Sequence, residues 1–172
     1  MSCLKTINYI FVAFSIFFLS ACHFYFGKFS WSFSYPGAHR ELAEKLRQEG
    51  KADEAIAHYR KHIDERLADK HRKDSENPYF YYILIGDIYL ETNRPTEALA
   101  FYKQAEESQV QREFVIDRLR QVASYFENES SKEKAIELLR ANRDLDPLLF
   151  DADIDRIHKE IVKSELEGEE NK

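Results

Sequence analysis

Residues 79–105 read YFYYILIGDIYLETNRPTEALAFYKQA, and this stretch decides the fold. Tyr82, Ile85, Gly86 and Tyr89 recur at three- and four-residue steps, the spacing of one helix face. After Asn93, Ala98, Phe101, Tyr102 and Ala105 repeat that spacing. Small residues let two helix axes approach, and large ones fill the space beside them. Asn93 stands where the first helix must stop and reverse. Pro95 suits the first turn of the next helix, where its missing N–H costs nothing. Asn77-Pro78 reads as an N-cap followed by proline at the first helical position. The stretch therefore predicts a helical hairpin.

Working outward, the same register occurs twice more. Gly86 and Ala98 stand twelve apart, as do Ala43 and Ala55, and Ala123 and Ala135. Three residues after the first member comes a large apolar residue: Leu46, Tyr89 or Phe126. Seven after it comes a turn former: Gly50, Asn93 or Ser130. Sixteen after it comes another large apolar residue: Tyr59, Tyr102 or Leu139. The expectation is an all-α chain of three hairpins, with repeats at about 37–70, 79–112 and 116–147.

This pattern resembles the tetratricopeptide repeat (TPR). The second unit carries it best, through Gly86, Tyr89, Ala98, Tyr102 and Ala105. The third ends in Asp146-Pro147, where the family often has proline. The first has Ala43, Gly50, Ala55 and Tyr59, but His62 where a small residue is usual. His39, Tyr82 and Leu119 stand in place of the family's early tryptophan. Its repeat is about 34 residues, whereas the alanines at 55, 98 and 135 are 43 and 37 apart. The surplus, in residues 64–76 and 108–112, reads as extended second helices plus loops.

A repeat stack needs a polar terminal cap. Residues 148–164 are expected to supply one, with Leu148, Leu149, Ile154, Ile157, Ile161 and Val162 on one side. Asp151, Asp153, Asp155, Lys159 and Glu160 fall largely on the other. The domain is thus read as 37–164, followed by a frayed acidic tail at 165–172.

Residues 1–36 are a different material. Their only acid–base charges are Lys5 and Lys28. A short positive start precedes an apolar run at 7–19, then Leu19-Ser20-Ala21-Cys22. This resembles the lipobox of bacterial lipoproteins, where a leucine, two small residues and a cysteine end the signal peptide. The resemblance implies a cleaved signal at 1–21 and an acylated Cys22 as the new N-terminus. It also implies a membrane-anchored protein facing the periplasm or cell exterior. His23 after the cysteine favours the outer membrane if there are two membranes. The alternative is an uncleaved single-pass anchor at 7–26, long enough to span a hydrocarbon core. Residues 22–36, with Phe24, Tyr25, Phe26, Phe29, Trp31, Phe33 and Tyr35, read as an aromatic interfacial tether.

Net charge is −6 overall, and beyond residue 36 there remain 23 basic against 31 acidic residues, net −8. That argues against nucleic acid, which needs clustered Lys and Arg. Five glycines and no Gly-rich loop argue against a phosphate cradle. No nucleophile elbow or acid–base constellation is assembled, so neither an enzyme, a cofactor nor a small-molecule substrate is expected. Glu106/Glu107 and Glu169/Glu170 read as solvated surface. His58 and His62, four apart, could start a metal site with His39 as a further ligand, but the spacing alone is a weak signal.

What remains is a binding face. In TPR proteins the first helix of each hairpin lines the concave surface. Carried over, that face holds Arg40, Glu44 and Arg47, then Phe80, Ile83, Asp87 and Leu90, then Arg120, Ser124 and Glu127. An apolar middle with charged ends suits a peptide or helix with an apolar anchor and flanking charges. The alternative for Phe80, Ile83 and Leu90 is packing against the charged insertion at 64–76 or the aromatic leader. A carboxylate-clamping version is absent, because the matching positions hold Glu44, Leu84, Asp117 and Gln121 beside Arg40. The resulting expectation is a membrane-tethered scaffold for a protein or peptide partner in the bacterial cell envelope. A self-associating structural protein is the rival reading.

Overall fold

The computed structural model describes residues 37–170. The signal at 1–21, Cys22, the tether at 22–36 and the anchor alternative at 7–26 lie outside the described residues. Among the described residues the chain is all-helical: α1 (Ala38–Gln48), α2 (Ala52–Ala68), α3 (Tyr81–Glu91), α4 (Pro95–Glu107), α5 (Arg112–Asn128), α6 (Lys132–Ala141) and α7 (Pro147–Glu170). Short 3₁₀ turns at Pro78–Phe80 and Arg143–Leu145 lead into α3 and α7. Each helix packs on the next, and α3 also packs on α5. The result is a short TPR-like α-solenoid of three hairpins closed by α7. No described helix is long and apolar enough to cross a membrane.

The twelve-residue pairs are the contact points inside the hairpins. Ala43, Ala55, Ala98, Ala123 and Ala135 are all buried, as is Gly86. Tyr102 lies so close over Gly86 that a Cβ there would meet its ring carbons at 2.3–2.9 Å. Tyr59, Tyr102 and Leu139 fill the space beside the small residues and are themselves buried. Fully burying one such large side chain stabilises by about 1.5–3 kcal/mol.

The turns share one geometry. Gly50, Asn93 and Ser130 adopt φ of 74°, 59° and 57°, and Gln109 does the same at 59°. In each case the next amide donates five residues back: Lys51 to Leu46, Arg94 to Tyr89, Val110 to Ala105 and Ser131 to Phe126, at 2.8–3.0 Å. The left-handed residue itself donates three back, to Arg47, Leu90, Glu106 and Glu127. These are Schellman caps, which satisfy the last carbonyls of α1, α3, α4 and α5. Gln109 carries no sequence signal for this role.

The two surplus stretches behave differently. The first surplus, 64–76, does lengthen α2 and then forms a loop, clipped by Arg66. The Arg66 guanidinium donates to both Glu76 oxygens at 2.7 Å and to Asp69 Oδ2 at 2.7 Å. The second surplus, 108–112, does not extend α4, which stops at Glu107; residues 108–111 form the turn and α5 begins at Arg112. Asn77 holds this junction, accepting from the Tyr79 amide at 3.0 Å and donating to the Ser108 carbonyl at 2.9 Å.

The cap also differs in detail. Asp146 accepts from the Leu149 amide at 3.0 Å, with Pro147 at the first helical position. The buried face of α7 is Phe150, Ile154 and Ile157, with Ile161 half-buried. Leu148 and Val162 belong to solvent, at 87% and 54% exposure, and not to the inner side. The helix continues past Ser164 to Glu170 through residues expected to fray.

Candidate functional site

The ten residues expected on the binding face fall into three groups. Leu90, Arg120, Ser124 and Glu127 line one depression of about 480 Å³, together with Asp153 and Arg156 of α7. This groove lies between α5 and α7, with the end of α3 at its edge. Ser124 is exposed at its centre, one turn from Arg120 and one from Glu127. Leu90 and the side of Ala123 supply apolar surface.

Two crossed ion pairs bound the groove. Arg120 of α5 donates to Asp153 of α7 through Nε at 2.6 Å and Nη2 at 3.3 Å. Two turns further along α5 the polarity reverses. Arg156 of α7 donates to both oxygens of Glu127 at 2.8 and 2.9 Å. Arg156 also reaches Glu160 at 3.0 Å. Hydrogen bonds donated to these carboxylates raise both arginines above their ordinary pKa, against the lowering effect of desolvation. The groove therefore offers charges of both signs, already compensated, around an apolar and small-residue floor.

A second group is committed to the chain itself. Ile83 is fully buried and cannot reach a partner, which corrects its placement on the accessible face. Its helix, α3, is apolar almost all round because it sits between neighbours, so periodicity does not separate an inner from an outer side. Asp87 is equally engaged. It accepts from the Tyr102 hydroxyl at 2.9 Å and from Arg118 Nε at 2.7 Å and Nη2 at 3.2 Å. Burial first, and the Asp87 charge second, hold the Tyr102 hydroxyl far above its usual range. Phe80 packs edge-on to Phe114 at 5.2 Å and to Tyr81 at 6.2 Å.

The third group is on α1. Arg47 donates through Nε to Glu91 Oε2 at 3.0 Å, and its Nη2 bonds the other oxygen, tying α1 to the end of α3. Arg40 lies 3.8 Å from Glu41 and 4.0 Å from Glu44. These residues do not join the groove.

The histidine pair is split. His58 Nδ1 meets His39 Nδ1 at 2.7 Å, and His39 Nε2 lies 3.3 Å from Glu65. His62 instead enters the core, 4% exposed, with its ring edge-on to Tyr81 at 4.6 Å. Its Nδ1 has no hydrogen-bond partner. Among the described residues no group of three or more His, Cys, Asp or Glu is arranged to hold a metal ion.

A tetratricopeptide repeat family model matches residues 36–109. That stretch holds the first two hairpins; α5, α6 and α7 lie beyond it. No curated protein matches the chain. The third hairpin nonetheless repeats the geometry of the other two, down to the left-handed Ser130. Arg118, Asp153 and Arg156 are the residues that sequence reasoning missed. Their partners are 31, 33 and 29 positions away, roughly one repeat, which is the only signal that could have found them.

Proposed function

We propose that this chain is a non-catalytic scaffold that holds a peptide or helix of another protein in the α5–α7 groove. The observation that carries this reading is the convergence of Leu90, Arg120, Ser124 and Glu127 on one depression. A partner would set an apolar side chain against Leu90 and exchange flanking charges with the two ion pairs. The two arginines are accessible for this, at 42% and 47% exposure, while Asp153 and Glu127 are sheltered at 15% and 12%. The family match supports protein binding as the general role. Comparing partner recovery from native membranes by wild type and by Ser124→Trp tests it. Ser124 is exposed, so the change fills the groove without disturbing the core. Recovery unaffected by Ser124→Trp contradicts the assignment.

The second half of the proposal is tethering, through a lipid on Cys22, to a bacterial envelope membrane. It rests on Leu19-Ser20-Ala21-Cys22 at the end of a charged start and apolar run. Fractionating cells that express Cys22→Ala checks it. A mutant that stays membrane-bound at unchanged mass rules out the lipid anchor.

A further inference from the structure

The last helix is much longer than the hairpin it caps. α7 has 24 residues and α6 has 10, so at 1.5 Å per residue α7 overhangs by several turns. Its buried face ends with Ile157 and the half-buried Ile161; residues 162–167 are all exposed. Yet this overhang is not polar all round. Val162 and Leu166, one turn apart, are 54% and 58% exposed and form an apolar stripe. A shallow depression of about 430 Å³ follows that stripe, flanked by Lys159, Lys163 and Glu167. At His158 it meets a second depression that passes over Ile136 and Ile161. A solenoid end is normally closed by a polar outer face.

The geometry points to a second copy of this chain as the cover, with two α7 helices pairing antiparallel across a two-fold axis. The charge order decides both the occupant and the direction. Along one flank of the stripe the sequence of charges is Lys159, Lys163, Glu167. Parallel pairing sets lysine beside lysine. Antiparallel pairing with Val162 against Leu166 of the other copy brings Lys163 within reach of Glu167. Within one chain Lys163 and Glu167 are 3.7 Å apart and exposed, an arrangement that loses little on exchanging partners. A two-fold interface must be self-complementary, and this stripe is. The mixed flank also disfavours an anionic lipid surface, which calls for an unbroken basic face.

The test is sedimentation equilibrium of the full chain in density-matched non-ionic detergent. Wild type is expected to show a concentration-dependent dimer, and Val162→Glu a monomer. Lys163→Glu and Glu167→Lys alone should each raise the dissociation constant by about tenfold, the scale of one close charge pair. The double change Lys163→Glu/Glu167→Lys should restore dimerisation. All three positions are exposed, and circular dichroism confirms that each variant stays folded. A wild type that is monomeric throughout, or a dimer indifferent to Val162→Glu, overturns the proposal. A double variant no better than the single ones overturns the antiparallel register.

Discussion

Asp87 of α3 and Arg118 of α5 are joined across the seam between the second and third hairpins at 2.7 Å. Asp87 also accepts from Tyr102 of α4, so one carboxylate ties three helices. The pair is mostly sheltered, with 11% and 21% of the side chains exposed. Removing one partner strands the other charge, a larger loss than breaking a surface bridge. Arg118→Ala should cost about 2 kcal/mol, between the buried and exposed limits. A double-mutant cycle with Asp87→Ala in urea should show coupling of about 1 kcal/mol or more. Additive losses would mean the pair does not hold the seam.

Gly86 allows the approach of Tyr102. The ring is rigid and fully buried, so it cannot step aside from a methyl group. Gly86→Ala should destabilise by about 1–3 kcal/mol, although alanine is the better helix former by about 1 kcal/mol. Thermal unfolding decides the sign. A higher midpoint would show that the helices can separate at no cost.

The left-handed caps predict changes of opposite sign. Gln109→Gly relieves a backbone conformation that side chains disfavour, and should stabilise by up to about 1 kcal/mol. Gly50→Ala should lose about 1 kcal/mol for the same reason. Nothing lies within 4 Å of an added Cβ at Gly50, so that loss is a backbone effect alone. Urea midpoints of the two variants check the pair.

His62 makes stability depend on pH. Desolvation, its largest influence, lowers its pKa in the folded chain, and His58 is lowered by the same cause together with His39. The unfolded histidine takes up a proton near pH 6.5, before the folded one does. Stability is therefore complete above about pH 6.5 and is lost as pH falls toward the folded value. His62→Phe should flatten the fall between pH 7 and 5, with His58 leaving a residual slope. It should also remove an unpartnered buried nitrogen. Equal slopes in wild type and variant would place the titration elsewhere.

The hairpins were legible because their contacts are local. Gly86 and Ala98, or Ala55 and Tyr59, lie within one repeat, so burial and period coincide in sequence. The groove was only half legible. Arg120, Ser124 and Glu127 are polar on an amphipathic helix and could only face outward. Ile83 sits in a helix apolar on nearly every side, where the pattern carries no direction. Asp87 looked like a groove residue because its partners come from two other helices. The cap misled at both ends, because Leu148 and Val162 fit an apolar stripe whose inner neighbours end at Phe150 and Ile161. Gln109 shows that a turn can be imposed by packing of the next residue, here the buried Val110, with no turn former present.

The central claim is that the α5–α7 groove is where a partner sits. A photo-reactive phenylalanine analogue at Ser124, in the full chain inside its native cells, tests this most directly. The same probe at Lys103, exposed on α4 outside the groove, is the control. The account predicts a discrete protein adduct from position 124, lost on Arg120→Glu, and none from position 103. The same adducts from both positions, or none from 124, would contradict it.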